Sequence, residues 1–136
     1  EFTPEDVSQL WNLQVPVACA AYRMKRPDSV LSAWIDGELV TDLERYTEPV
    51  ACTYAGTGFL MIDREVLAQM RDAWPEIEYE ESVGTTWNFF DPHVDLKQKV
   101  LLSEDYAFCK RCTELGIPII LHPGIRLGHW GSYRYG

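Results

Sequence analysis

The chain has 136 residues, 46% of them apolar and five of them Trp, enough for one domain with a core and too apolar for a disordered tail. A formal charge of -9 and a sequence pI of about 4.7 exclude the basic surface that neutralises a phosphate backbone, so neither nucleic acid nor an anionic membrane is an expected partner. No apolar run approaches the ~20 residues of a membrane span, and no signal-peptide pattern opens the chain.

Thr3-Pro4-Glu5-Asp6 predicts a helix start: Thr3 as N-cap, Pro4 in the first helical position and Asp6 near the capping-box position. Val7, Leu10 and Trp11 share a face of that helix, which ends near Leu13. Residues 15–21 are almost uninterruptedly apolar, the signature of a strand covered on both faces of a parallel sheet. The basic loop Tyr22-Arg23-Met24-Lys25-Arg26-Pro27 leaves its C-terminal end, where open α/β sheets bind ligands, although solvated charge has the same composition. Asp36-Gly37 between apolar runs at 30–35 and 38–41 predicts an antiparallel hairpin, followed by a polar connection at 42–48. Residues 49–54 and 58–62 read as strands separated by Ala55-Gly56-Thr57-Gly58. The glycines permit a bend and the close approach of a ligand to main-chain N–H groups; an ordinary turn looks alike.

Asp63 is placed to cap a helix that runs to 70–73 and stops before Pro75, with Val66, Leu67 and Met70 facing the core. Residues 76–101 are expected to be irregular. Glu76, Glu78, Glu80 and Glu81 make an acidic, solvated face, whereas Trp87-Asn88-Phe89-Phe90-Asp91 holds too many aromatics for an unanchored linker. In Leu102-Ser103-Glu104-Asp105-Tyr106-Ala107-Phe108-Cys109 two adjacent carboxylates stand where an apolar run gives way to a helix. Ser103 is an N-cap type, Glu104 and Asp105 fill the first turn, Phe108, Cys112 and Leu115 recur at helical spacing, and Gly116 with Pro118 ends the helix. This stretch is the candidate chemical centre, set against the plain alternative that acidic first-turn residues only cap. A strand at 117–121, a turn at His122-Pro123-Gly124 and a last short strand at 125–128 precede His129-Trp130-Gly131-Ser132. The four Cys lie in apolar strand-like runs (19 and 52) or in the helical pattern (109 and 112), which points to buried, reduced thiols in a cytoplasmic protein.

Taken in order, Gly56-Thr57-Gly58-Phe59-Leu60-Met61-Ile62, Phe89-Phe90-Asp91, Ser103-Glu104-Asp105-Tyr106-Ala107-Phe108-Cys109 and Gly128-His129-Trp130-Gly131-Ser132 resemble the C-terminal half of GT-A-fold nucleotide-sugar glycosyltransferases of the family 2 type. The resemblance implies an α/β fold over a single domain, 1–136, with a mixed sheet and flanking helices like the acceptor-side half of that fold. It also implies carbohydrate biosynthesis: a sugar passing from a nucleotide-diphosphate donor to a carbohydrate acceptor hydroxyl, inverting, with Mn²⁺ or Mg²⁺ on the diphosphate. Asp105 matches the family's base, with Glu104 beside it, and His129 matches its metal ligand. Gly56, Thr57, Gly58, Trp87, Phe90, Asp91, Lys25, Trp130 and Ser132 are then substrate-binding candidates, with Lys25 facing phosphate.

The family also carries an Asp-x-Asp metal motif, which this sequence lacks; in the family it sits just before a segment resembling Phe2-Thr3-Pro4-Glu5-Asp6-Val7. The chain is accordingly expected to be the later part of a longer enzyme, inactive by itself. Its strand at 15–21 would then show an uncovered edge, and the chain would self-associate, either through a shared sheet or by exchange of the N-terminal helix with its following strand. Two other readings compete. Cys109-Lys110-Arg111-Cys112 has the gap of a zinc knuckle but no second Cys pair. The five Trp and seven Tyr would equally suit a non-catalytic carbohydrate-binding or interaction module.

Overall fold

The computed structural model describes residues 1–25 and 30–130 and the backbone of 134–135. Helix α1 (Pro4–Asn12) begins with the expected capping box: Asp6 N–H donates to Thr3 Oγ1 at 3.4 Å and Thr3 N–H donates to Asp6 Oδ2 at 2.7 Å. Gln14, at φ +50°, turns the chain out of the helix into β1 (Val17–Cys19).

After β1 come the hairpin β2 (Ala33–Ile35) and β3 (Glu38–Leu39), then β4 (Val50–Cys52), β5 (Tyr54–Ala55) and β6 (Leu60–Ile62). Asp36 and Gly37 take φ of +51° and +81°, the paired left-handed conformation of a type I′ turn. Helix α2 (Arg64–Ala73) is capped by Asp63, whose carboxylate accepts from Glu65 N–H at 2.9 Å. The chain continues through β7 (Glu78–Glu81), β8 (Gly84–Trp87), β9 (His93–Asp95), β10 (Val100–Leu102), α3 (Glu104–Glu114), β11 (Ile119–Leu121), β12 (His129–Trp130) and β13 (Arg134–Tyr135).

The fold is mixed α/β. Its main sheet has the order β4-β11-β1-β6, with β1 parallel to β11 and antiparallel to β6, which makes it the expected mixed sheet. Side chains alternate across a strand. Val17 and Cys19 accordingly pack into a core with Val66 and Met70 of α2 and Phe108, Cys109 and Cys112 of α3. Ala18 and Ala20 pack with Leu10 of α1 and with Ile125 and Leu127. Covering on both faces is why this stretch is apolar throughout.

Three expectations are corrected. Residues 15–21 do not present an open edge: β1 is central, and the sheet ends at β4 and β6. Residues 76–101 are not irregular but form two hairpins, β7–β8 and β9–β10. Residues 125–128 contain a single bridge, Leu127 with Tyr22, and the strand follows at His129–Trp130. All four cysteines are free and buried. Cys19 and Cys52 flank β11 on its two sides with their sulfurs 3.9 Å apart, but two strand spacings separate their backbones by about 10 Å, beyond the reach of a disulfide. No described helix is long and apolar enough to cross a membrane.

Candidate functional site

Helix α3 starts at the mouth of a cleft of about 410 Å³ lined by Tyr22, Met24, Lys25, Ser32, Gly56, Ser103, Asp105, Tyr106 and His129. Its lining comes from five separate stretches, at 22–25, 32, 56, 103–106 and 129, of which the first and last follow the parallel strands β1 and β11 and so lie at the same end of the sheet. Ser103 has the extended backbone of an N-cap, but its side chain makes no capping bond, so the expected hydroxyl cap is absent. Asp105 turns inward and accepts a hydrogen bond on Oδ1 from the hydroxyl of Thr57. No other described residue hydrogen-bonds this carboxylate, so among those residues Oδ2 has no partner.

Tyr22 locks the arrangement. A Cβ at Gly56 would lie 2.4 Å from its phenol oxygen, and one at Gly58 would lie 2.7 Å from its ring. The close approach that requires these glycines is therefore made by Tyr22 itself. The same ring meets His129 edge to face, with centroids 4.9 Å apart. His129 Nδ1 is 2.8 Å from the carbonyl of Arg23, which in the neutral ring fixes the proton on Nδ1 and leaves Nε2 with a lone pair.

Burial, reinforced by the negative charge of Asp105, pushes the Tyr22 phenol above its ordinary range. Burial likewise raises Tyr106, whose oxygen accepts from Trp34 Nε1 at 2.9 Å and whose own hydrogen remains available to donate. Among the described residues the cleft thus offers a carboxylate oxygen without a hydrogen-bond partner, two protonated phenols and an ammonium group.

Of the residues singled out in the sequence, Asp105, His129, Lys25 and Gly56 line this cleft. Thr57 touches it through Asp105, and Gly58 lines a smaller adjoining cavity of about 270 Å³ with Phe2, Phe59 and His129. Glu104 is exposed and does not line the cleft, nor does exposed Trp130. Ser132 lies outside the described residues. The aromatic segment belongs elsewhere. Phe90 stacks on core Phe108 at 4.7 Å, Trp87 lies under the Arg71 guanidinium at 5.8 Å, and Asp91 lines a second cleft toward the other end of α3. Buried Arg111 fastens this segment to the helix, donating to the carbonyl of Phe89 at 2.6 Å. Aromatic content there reflects anchoring.

The sequence reading missed Ser32, and it placed Tyr22 and Tyr106 in candidate segments without giving either side chain a role of its own. Tyr22 was legible in principle, since it is the residue that leaves the C-terminal end of an apolar strand.

The donor set does not make a metal site by itself: among the described residues no group of three His, Cys, Asp or Glu side chains converges. Cys109 and Cys112, the pair with the spacing of a zinc knuckle, are both buried. No protein-family model, no curated protein and no solved structure matches this chain.

Proposed function

We propose that this chain carries the acceptor side of a glycosyltransferase site, in which a sugar passes from a nucleotide-diphosphate donor to an acceptor hydroxyl with Asp105 as general base. The observation that supports this reading is the convergence of Asp105, His129, Lys25 and Gly56, from segments far apart in sequence, on one cleft. Thr57 holds Oδ1, so Oδ2 takes the acceptor's proton while the acceptor oxygen bonds to the anomeric carbon. The bond from that carbon to the diphosphate breaks, and the diphosphate leaves with the electron pair. A single base and direct displacement correspond to inversion. Tyr106 orients the acceptor hydroxyl by donating its phenol hydrogen, and Lys25 offsets charge on the departing diphosphate. A divalent cation, Mn²⁺ or Mg²⁺, supplies further charge neutralisation when bound; His129 Nε2 is the ligand this chain offers it, and the described residues do not complete the set.

A second reading, carbohydrate binding without turnover, is favoured by the filling of the glycine loop with Tyr22 in place of a ligand. One experiment separates the two. The complete gene product is incubated with a panel of nucleotide-diphosphate sugars and oligosaccharide acceptors, beside its Asp105→Asn variant. Transfer that falls about 10²- to 10⁴-fold in the variant, with unchanged melting, is the expected result. Oligosaccharide binding without transfer from any donor would select the binding module, and undiminished transfer in the variant would return Asp105 to helix capping.

A further inference from the structure

The two hairpins beside the second cleft carry opposite charge, and each leaves apolar side chains in water. The β7–β8 hairpin presents Glu78, Glu80 and Glu81, with Glu76 just before it, while Tyr79 and Val83 are 43% and 88% exposed. The turn of the β9–β10 hairpin carries Lys97 and Lys99, and neither lysine forms an ion pair among the described residues. Beside those lysines Leu96 and Leu101 are 84% and 74% exposed, and Leu101 faces half-exposed Val94 directly across the ladder. An isolated two-stranded ribbon is marginal in water, and an apolar stripe with charged neighbours is the composition of an interface.

The cleft between these hairpins, about 470 Å³, is walled by Trp74 and Tyr79 and rimmed by Glu76, Glu78, Asp91 and Glu114. Its cation, Arg111, is sunk at the base and committed to backbone carbonyls, so the rim stays acidic. His93, the first residue of β9, lines this cleft, and β9 runs from it to Asp95 before the turn that carries Lys97. Acidic cleft and basic tip therefore sit at the root and the end of one hairpin. Two copies related by a twofold axis, with these hairpins side by side and antiparallel, place each tip on the other's cleft.

We propose that the chain forms a twofold dimer in which the 96–99 turn of each copy docks on the acidic cleft of the other, lysines against the glutamates and Leu96 against Tyr79. The net charge of -9 turns an anionic membrane away as the alternative occupant. Repulsion between two acidic copies is screened beyond about 8 Å at physiological ionic strength, whereas the docked pairs are not.

The test is a charge swap read by light scattering and sedimentation from micromolar to millimolar concentration. Lys97→Glu/Lys99→Glu and Glu76→Lys/Glu78→Lys should each weaken self-association by roughly a hundredfold or more, since each sets like charge on like. Mixed in equal amounts, the two variants should form a heterodimer, because every tip then meets a cleft of opposite sign. Leu96→Asp, at a side chain outside the core, tests the same contact should a reversed variant lose its folded circular-dichroism spectrum. A wild-type chain that stays monomeric throughout, variants that dimerise as the wild type does, or a mixture that remains monomeric would each overturn the proposal.

Discussion

Tyr22 accounts for both glycines of the 56–58 loop and for the setting of His129, so its effects are testable one residue at a time. Gly56→Ala brings a methyl to within 2.4 Å of the phenol oxygen and 2.9 Å of Ser32 Cβ, both on half-buried or buried neighbours that have little room to yield. Urea denaturation should show a loss of about 1–3 kcal/mol, the usual cost of overpacking. His129 is the second residue to test. Its Nδ1 is tied to a carbonyl and its Nε2 is the lone pair on offer, so His129→Ala in the complete gene product should weaken Mn²⁺-dependent nucleotide binding by about tenfold or more in titration calorimetry. Unchanged binding would make the imidazole a packing partner of Tyr22 only.

At the scale of elements, the β9–β10 hairpin depends on Asp95. Its Oδ1 accepts from the N–H groups of Lys97 at 2.8 Å and Gln98 at 3.0 Å, and its Oδ2 pairs with Lys110 of α3 at 3.1 Å. The Gln98 N–H, with Lys110 beside it, holds the Asp95 carboxyl below its ordinary range. A carboxylate depressed in the folded state contributes stability above its unfolded pKa and loses it as pH falls through the folded value. Asp95→Asn should therefore flatten the acid limb of the stability curve below the ordinary carboxylate range. Amide exchange across 93–102 should also speed up in the variant while the main sheet is unaffected. Equal exchange in both proteins would show that the turn holds without the carboxylate.

The same segment marks where the sequence was hard to read. Glu78-Tyr79-Glu80-Glu81 is exposed on both faces, so no alternation of apolar and polar residues betrays a strand, and pairing with β8 is settled by cross-strand hydrogen bonds alone. Helices were legible to within a residue because Thr3, Asp63 and Gly116 carry their own end signals.

At the scale of the whole molecule, the central core holds four buried thiols. Burial pushes Cys109 and Cys112 from an ordinary 9.0 up to about 12, and the sulfur contact with Cys52 together with burial raises Cys19. A thiol whose folded pKa is raised contributes its full stability below the unfolded value and loses it as pH climbs toward the folded one. The melting temperature should accordingly fall between pH 9 and about 12, with thiol reagents reaching the four cysteines only as the chain unfolds. Fast native labelling would contradict this core. What the sequence determined by itself was local: the caps at Thr3 and Asp63, the hairpin turn at Asp36-Gly37, the apolar strand covered on both faces and the buried, free thiols. Each follows from a residue's own backbone preference or from its transfer out of water. Only the tertiary structure decided that β1 lies between β11 and β6, that Tyr22 fills the glycine loop, and that Asp105 shares a cleft with His129 while Glu104 and Asp91 do not. Those outcomes depend on strand order and on which side chain occupies a given space, and one chain's spacing encodes neither.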